Sequence, residues 1–385
     1  MSKNLPLHAP NFNTSEKNYL LKCLKSTWIS SSGEYINKFE KKISQITGSK
    51  FAVACINGTS AIHTALNICG VKKNDEVIVP SITFISPINA VKYCFAKPIF
   101  MDCDKYFNVD KKKIIEFLEK KTFSRGGYCI NKITKNKISA IILVHVWGNL
   151  VDIYDLIRIC KKKNIKVIED ASESLGSYYV KKKFKPKHSG TLGDVGCLSF
   201  NGNKIITSGG GGMILTKNKK YYTRARYLIT QSKDNSKFYK HNNLGYNYRL
   251  SNLHSAIGLA QAKKLKIYLY KKKLIHNNYK RHINKIPGLK ILENPKYSKS
   301  NNWLNILIVS KEYKKDIKWI EKKLKNNNIE SRFVWYPNHL QKHLKKHLRY
   351  KINNALHMVN NSICLPSSVN LSEVDIIKIS KIINA

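Results

Sequence analysis

The sequence has no Cys-x-x-Cys pair, no strict dinucleotide-binding or P-loop glycine pattern, no internal repeat and no low-complexity linker. Each absence excludes a class. Nine cysteines without zinc-ribbon spacing, several inside apolar runs, read as free thiols in a reducing compartment, not as a disulfide framework. The longest apolar stretch, residues 138–151, contains His145 and Asn149 and is shorter than the roughly 20 residues of a membrane helix. Residues 1–10 have no apolar signal core, so a cytoplasmic location with no membrane association is the expectation.

Acidic residues are also scarce. There are 24 Asp+Glu against 69 Lys+Arg, a formal charge of +45. Only 8 of the basic residues are arginine, which leaves 61 lysines. A basic nucleic-acid-binding protein is one reading of that excess. Coding bias over a cytosolic enzyme is the other, because Lys, Asn and Ile are all abundant from end to end and no nucleic-acid-binding motif is present. Hydrophobic residues make up 42% and aromatics 10%, enough for a large core, which excludes a disordered basic tail.

From about residue 50, short apolar runs alternate with helix-like segments. Strand-like runs occur at 51–56, 76–79, 98–101, 140–146, 166–168, 195–200 and 213–216. Helical spacing occupies 60–68, 110–121 and 152–163, with Asp152 placed to cap the last. The alternation predicts an α/β fold, a mostly parallel sheet covered on both faces. Helical character then runs from 253 to about 283, and shorter strand candidates such as 303–309 follow. The expected division is a large domain over 1–265 and a smaller α+β domain over 266–385.

Ligands of open α/β sheets bind beyond the carboxyl ends of strands. Three such places carry chemistry. After 51–56 comes Asn57-Gly58-Thr59-Ser60, which fits either an anion cradle or an ordinary helix cap. After Ile168 comes the acidic pair Glu169-Asp170, of which Asp170 is the candidate. After 195–200 comes one lysine, Lys204, ahead of the four-glycine turn 209–212. A phosphate cradle, a carboxylate and an isolated lysine are what pyridoxal phosphate requires for its phosphate, its pyridinium nitrogen and its Schiff base.

Four stretches carry a resemblance: 28–33 (WISSSG), 169–176 (EDASESLG), 199–212 (SFNGNKIITSGGGG) and 245–253 (GYNYRLSNL). Through them the chain resembles the fold-type I, pyridoxal-phosphate-dependent sugar aminotransferases of the DegT/DnrJ/EryC1/StrS family, in particular the legionaminic acid branch. The resemblance implies Lys204 as the Schiff-base lysine and proton carrier, and Asp170 as partner of the pyridinium nitrogen. It implies Thr59, Ser60 and Ser199 as phosphate ligands, and Asn247 as a phosphate contact reaching the neighbouring subunit of a homodimer with shared sites. Phe84 is either an aromatic stacked on the cofactor or a core phenylalanine. Glu173 stands where much of the family has His or Gln, and orients the cofactor hydroxyl or meets substrate. Arg249 suits either a donor carboxylate or an interface salt bridge. Trp28, Arg332 and His339 resemble segments near substrate, with Asn338 departing from the family's Leu or Ile. The basic stretch 180–188 is expanded relative to the family.

The implied reaction moves an amino group from L-glutamate to the 4-keto carbon of a UDP- or GDP-linked 6-deoxyhexose, for a surface glycan. A 3-keto substrate is the alternative. Relatives that dehydrate have His where Lys204 stands. No metal is expected: His339, His343 and His347 would share a helical face, but an adjacent stripe of Leu340, Leu344 and Leu348 is explained by an amphipathic helix alone.

Overall fold

The structure, a computed structural model, describes residues 4–181, 184–235 and 237–385. Residues 182 and 183 of the expanded basic stretch therefore lie outside the described residues. Eight strands form the central sheet: β1 (Phe51–Cys55), β2 (Glu76–Pro80), β3 (Lys97–Met101), β4 (Ile138–Val144), β5 (Lys166–Asp170), β6 (Val195–Ser199), β7 (Gly212–Thr216) and β8 (Arg349–Tyr350). Their order is β1-β7-β6-β5-β4-β2-β3-β8. All neighbouring pairs are parallel except those of β7, which runs antiparallel between β1 and β6. Every residue of β4 is buried. That is why its sequence is a continuous apolar run and not an alternating one: helices cover both faces.

Register assembles the site. Cys55 of β1 and Ser199 of β6 both pair with Gly212, and Cys197 pairs with Asp170. The ends of β1, β6 and β5 therefore arrive at one edge, with the glycine run entering β7 between them. Gly212 has no room for a side chain there, since a Cβ would lie 2.3 Å from the Asn57 carbonyl oxygen.

A four-stranded antiparallel sheet lies towards the C-terminus, in the order Leu289–Ile291, Asn305–Val309, Ser362–Leu365, Arg332–Phe333. Ile275, Tyr279, Ile320, Ile363, Ile376 and Ile379 form its core, and Leu5 joins them. Leu5 donates its amide to Asn328 (3.0 Å) and accepts from Glu330 (2.9 Å), so the N-terminal segment packs on this C-terminal region. The division expected at 265/266 falls inside one unbroken helix, Asn252–Ile283.

Two local expectations are corrected. Asp152 does not cap the following helix, which begins at Tyr154 behind Ile153. Its carboxylate instead meets Lys111 Nζ at 2.5 Å. Nor do His339, His343 and His347 share a helix: only a 3-10 turn, Asn338–Leu340, forms there. The chain must turn back so that Arg349 and Tyr350 can pair with β3. All nine cysteines are free and buried. Among the described residues no helix is long and apolar enough to cross a membrane.

Candidate active site

A cavity of about 390 Å³ opens at this edge of the central sheet, lined by residues of the sheet ends and of the C-terminal region. Its first wall is the N-terminus of the helix Gly58–Ile68. Asn57 caps that helix, accepting the Ser60 amide on Oδ1 at 2.8 Å. Gly58 and Thr59 line the cavity beside Ser172 and Ser199. Backbone amides and the helix dipole at such a terminus favour an anion. Gly58 is required by close approach: a Cβ would sit 2.9 Å from Ser199 Cβ and 3.3 Å from Ser172 Oγ.

The floor is charged. Asp170, the last residue of β5, is 3% exposed and accepts the Ser172 amide at 3.0 Å. Burial pushes its carboxyl above the ordinary range, against the pull of Ser172 and Lys204. Its neighbour Glu169 serves the opposite face, as strand alternation requires. There it pairs with His145 Nε2 at 2.9 Å and accepts the amides of Gly190, Leu192 and Gly193, which fixes the loop entering β6.

Lys204 follows β6 and lies between an acid and a ring. Its Nζ is 3.5 Å from Glu173 Oε1 and 4.1 Å from the centroid of the Trp303 ring. Trp303 is itself held: its indole N–H donates to the Asn203 carbonyl at 2.7 Å, its amide to Asn301 Oδ1 at 3.0 Å, and its carbonyl accepts from Lys272 at 2.8 Å. Glu173 accepts the Trp147 amide on its other oxygen at 2.8 Å. Burial raises its carboxyl, the Lys204 charge opposes this, and Asp170 pushes it further up.

Of the residues singled out by sequence, Thr59, Phe84, Asp170, Glu173, Ser199, Lys204 and Arg332 line this cavity. Phe84 is 55% exposed there, which is not the environment of a core phenylalanine. Ser60 lies one residue too deep in the helix to line it and is buried. His339 is buried, with Nδ1 2.6 Å from Ser81 Oγ, outside the cavity. Trp28, Asn247 and Arg249 also lie outside it within this chain. Trp28 is on the surface, Asn247 bridges to Thr230, and Arg249 bridges to Cys55 near Glu40.

Sequence reasoning missed Trp147, Ser172, Asn301 and Trp303. Trp147 was findable, because it follows β4 as the other site residues follow their strands. It adopts φ +54°, a left-handed conformation that a bulky side chain rarely takes. Its ring stacks on Trp335 at 5.2 Å.

The donor set fits pyridoxal phosphate. The helix N-terminus with Thr59 and Ser199 suits a phosphate, the buried Asp170 carboxylate suits a pyridinium, and Lys204 Nζ is the one cavity-lining lysine among the described residues.

The chain is 36% identical to the GDP-perosamine synthase of Escherichia coli O157:H7 over 384 residues, covering 99% of this chain and 98% of that protein. It is 33% identical to the GDP-perosamine synthase of Caulobacter vibrioides, covering 96% and 94%. The E. coli GDP-4-keto-6-deoxy-D-mannose-3-dehydratase, solved with bound hydrated PLP, shares the fold with a TM-score of 0.86 at 21% identity, all of both chains being covered. The profile of the DegT/DnrJ/EryC1/StrS aminotransferase family matches residues 10–384, and the chain belongs to that family.

Proposed function

We propose that this enzyme transfers the amino group of L-glutamate to C4 of a GDP-linked 4-keto-6-deoxyhexose, with pyridoxal phosphate as cofactor. The observation that carries this reading is the seat of Lys204, an amine held between a buried carboxylate and an aromatic ring at the mouth of an anion-binding helix. Bound there, pyridoxal phosphate supplies a carbonyl that carries the amino group and a ring that withdraws electrons. The residues do the rest. Asp170 holds the ring nitrogen's proton. Thr59, Ser199 and the helix N-terminus anchor the phosphate. Lys204 Nζ takes the proton from the α-carbon of glutamate and returns one to C4 of the sugar. A lysine at this position supports transamination over the dehydration chemistry of the structural neighbour.

Likeness to two GDP-perosamine synthases supports a GDP carrier, ahead of the legionaminic-type pathway that the motif resemblance implies; a surface glycan is the proposed destination of the product. Asn247, Arg249 and Trp28, outside their own cavity, are assigned to a homodimer in which they serve the neighbouring site or the interface. The proposed division remains a large domain over 1–265 and a small one over 266–385, with the boundary inside the helix Asn252–Ile283.

Purified protein should be yellow, and Lys204→Ala should abolish the colour. Turnover with glutamate should be seen with GDP-4-keto-6-deoxy-D-mannose in a panel of 4-keto and 3-keto sugar nucleotides. Turnover of a 3-keto substrate alone would refute the regiochemistry, and a colourless protein that takes up no pyridoxal phosphate would refute the enzyme class.

A further inference from the structure

Lysines in water are cationic and poor nucleophiles; one that attacks a carbonyl must first lose a proton. The group that receives it has to be close, and among the described residues Glu173 is the acid in ion-pair contact with Lys204. Glu173 Oε1 lies 3.5 Å from Lys204 Nζ, and the two side chains are 5% and 13% exposed. Asp170 also faces this space and feels the Lys204 charge, but the hydrogen bond from Nζ goes to Glu173. The other oxygen of Glu173 is fixed by the Trp147 amide, so Oε1 is left to the lysine.

We propose that Glu173 is the base that removes the proton from the Lys204 ammonium and later returns it to the departing carbonyl oxygen. This rests on the reading of Lys204 as the carbonyl-binding lysine. The proton passes from Nζ to Oε1, and an ammonium–carboxylate pair becomes an amine and a carboxylic acid. Both charges vanish in the one transfer, so the step creates no new charge in the desolvated site. The amine forms its bond to the carbonyl carbon. The C–O bond then breaks, and the oxygen leaves as water with one proton from Nζ and one from Glu173. The nitrogen is left as a cationic imine facing a carboxylate again, so the pair starts and ends with balanced charge.

The surroundings agree. Burial raises the Glu173 carboxyl, and the Asp170 charge adds to that; the Lys204 cation is the main opposing influence. The remaining facing groups do not replace it. His8 lines the same cavity, but burial and the charges of Lys272 and Lys204 lower its proton affinity well below that of an ordinary imidazole, so it resists taking up the proton. Glu330 also lines the cavity, where it accepts the Leu7 amide at 3.0 Å. The Cys364 thiol is pushed up to about 12 by burial and stays neutral. Arg332 lines the cavity from an exposed position on the C-terminal sheet.

Two measurements test this. In cofactor-free protein at pH 7, difference infrared spectra of Lys204→Met should show the carbonyl stretch of a protonated carboxylic acid. The band should be missing from wild type and from the Lys204→Met, Glu173→Gln double variant. Its absence from Lys204→Met would overturn the proposal, because Glu173 would then stay ionised without the cation. Should Lys204→Met fail to fold, the rate at which added pyridoxal phosphate develops its yellow band decides. Glu173→Gln should slow it about 100-fold, Glu173→Asp should recover part of the loss, and an unchanged rate in Glu173→Gln would overturn the proposal. If the infrared band appears but wild type takes up no pyridoxal phosphate, the proposed function fails while the proton pairing of Glu173 and Lys204 stands.

Discussion

The side chain of Asn301 occupies the space that a Cβ on Gly148 would need: its Oδ1 would lie 1.9 Å from that atom. Gly148 also has φ +93°, which disfavours any L side chain. Asn301 uses this room to donate to the carbonyls of Glu173 (2.9 Å) and Leu175 (3.0 Å) while accepting the Trp303 amide. One glycine thus lets the C-terminal region hold both neighbours of Lys204.

Gly148→Ala is therefore expected to destabilise the fold by about 2–4 kcal/mol, since strain and overlap combine. The colour of the loaded enzyme should shift as well, because Glu173 and Trp303 move. Denaturant melts and absorbance spectra check this, and a variant within about 0.5 kcal/mol of wild type contradicts it.

Gly58→Ala places a methyl against Ser199 and Ser172, at the wall assigned to the phosphate. Affinity for pyridoxal phosphate should fall about tenfold or more, equivalent to at least ~1.4 kcal/mol. Fluorescence titration measures it, and an unaltered dissociation constant would remove the phosphate from this helix terminus.

Asp170→Asn should separate stability from activity. Burial raises the Asp170 carboxyl, so the folded state binds its proton more tightly than the unfolded chain does. The stability this contributes is complete below the ordinary carboxyl value and is lost as pH rises through the folded value. The neutral isostere should melt higher than wild type at pH 8 in cofactor-free protein, while turnover drops about 100-fold or more for want of a pyridinium partner. Thermal melts with parallel assays test both halves, and a lower melting temperature counts against the electrostatic argument.

His188 sets an acid limit. It is 1% exposed, accepts the Gly176 amide on Nε2 at 2.7 Å, and is pushed down to about 4 by burial. In the unfolded chain an imidazole titrates near about 6.5. Its contribution is complete above that value and drains away as pH falls towards about 4, by about 3 kcal/mol. Unfolding free energy measured from pH 7 down to 4 should follow that slope. His188→Gln accepts from Gly176 without titrating, and should flatten it.

The alternation of short apolar runs with amphipathic stretches determined the layered α/β fold, because burial on one or both faces writes its period locally. Asp170 at a strand end, Asn57 as a cap and Lys204 before a glycine turn were legible for the same reason: each depends on its immediate neighbours. Tertiary structure alone decided what surrounds them. Trp303 and Asn301 come from about 100 residues away, and nothing near them in sequence marks them as companions of Lys204. The antiparallel insertion of β7, with Cys55 and Ser199 on either side of Gly212 and Ser199 close to Gly58, is a matter of strand order, and local spacing does not encode order. His339 shows the converse. Its local pattern suited a helix near substrate, but the pairing of Arg349 with Phe100 bends the chain, and its imidazole is turned to Ser81.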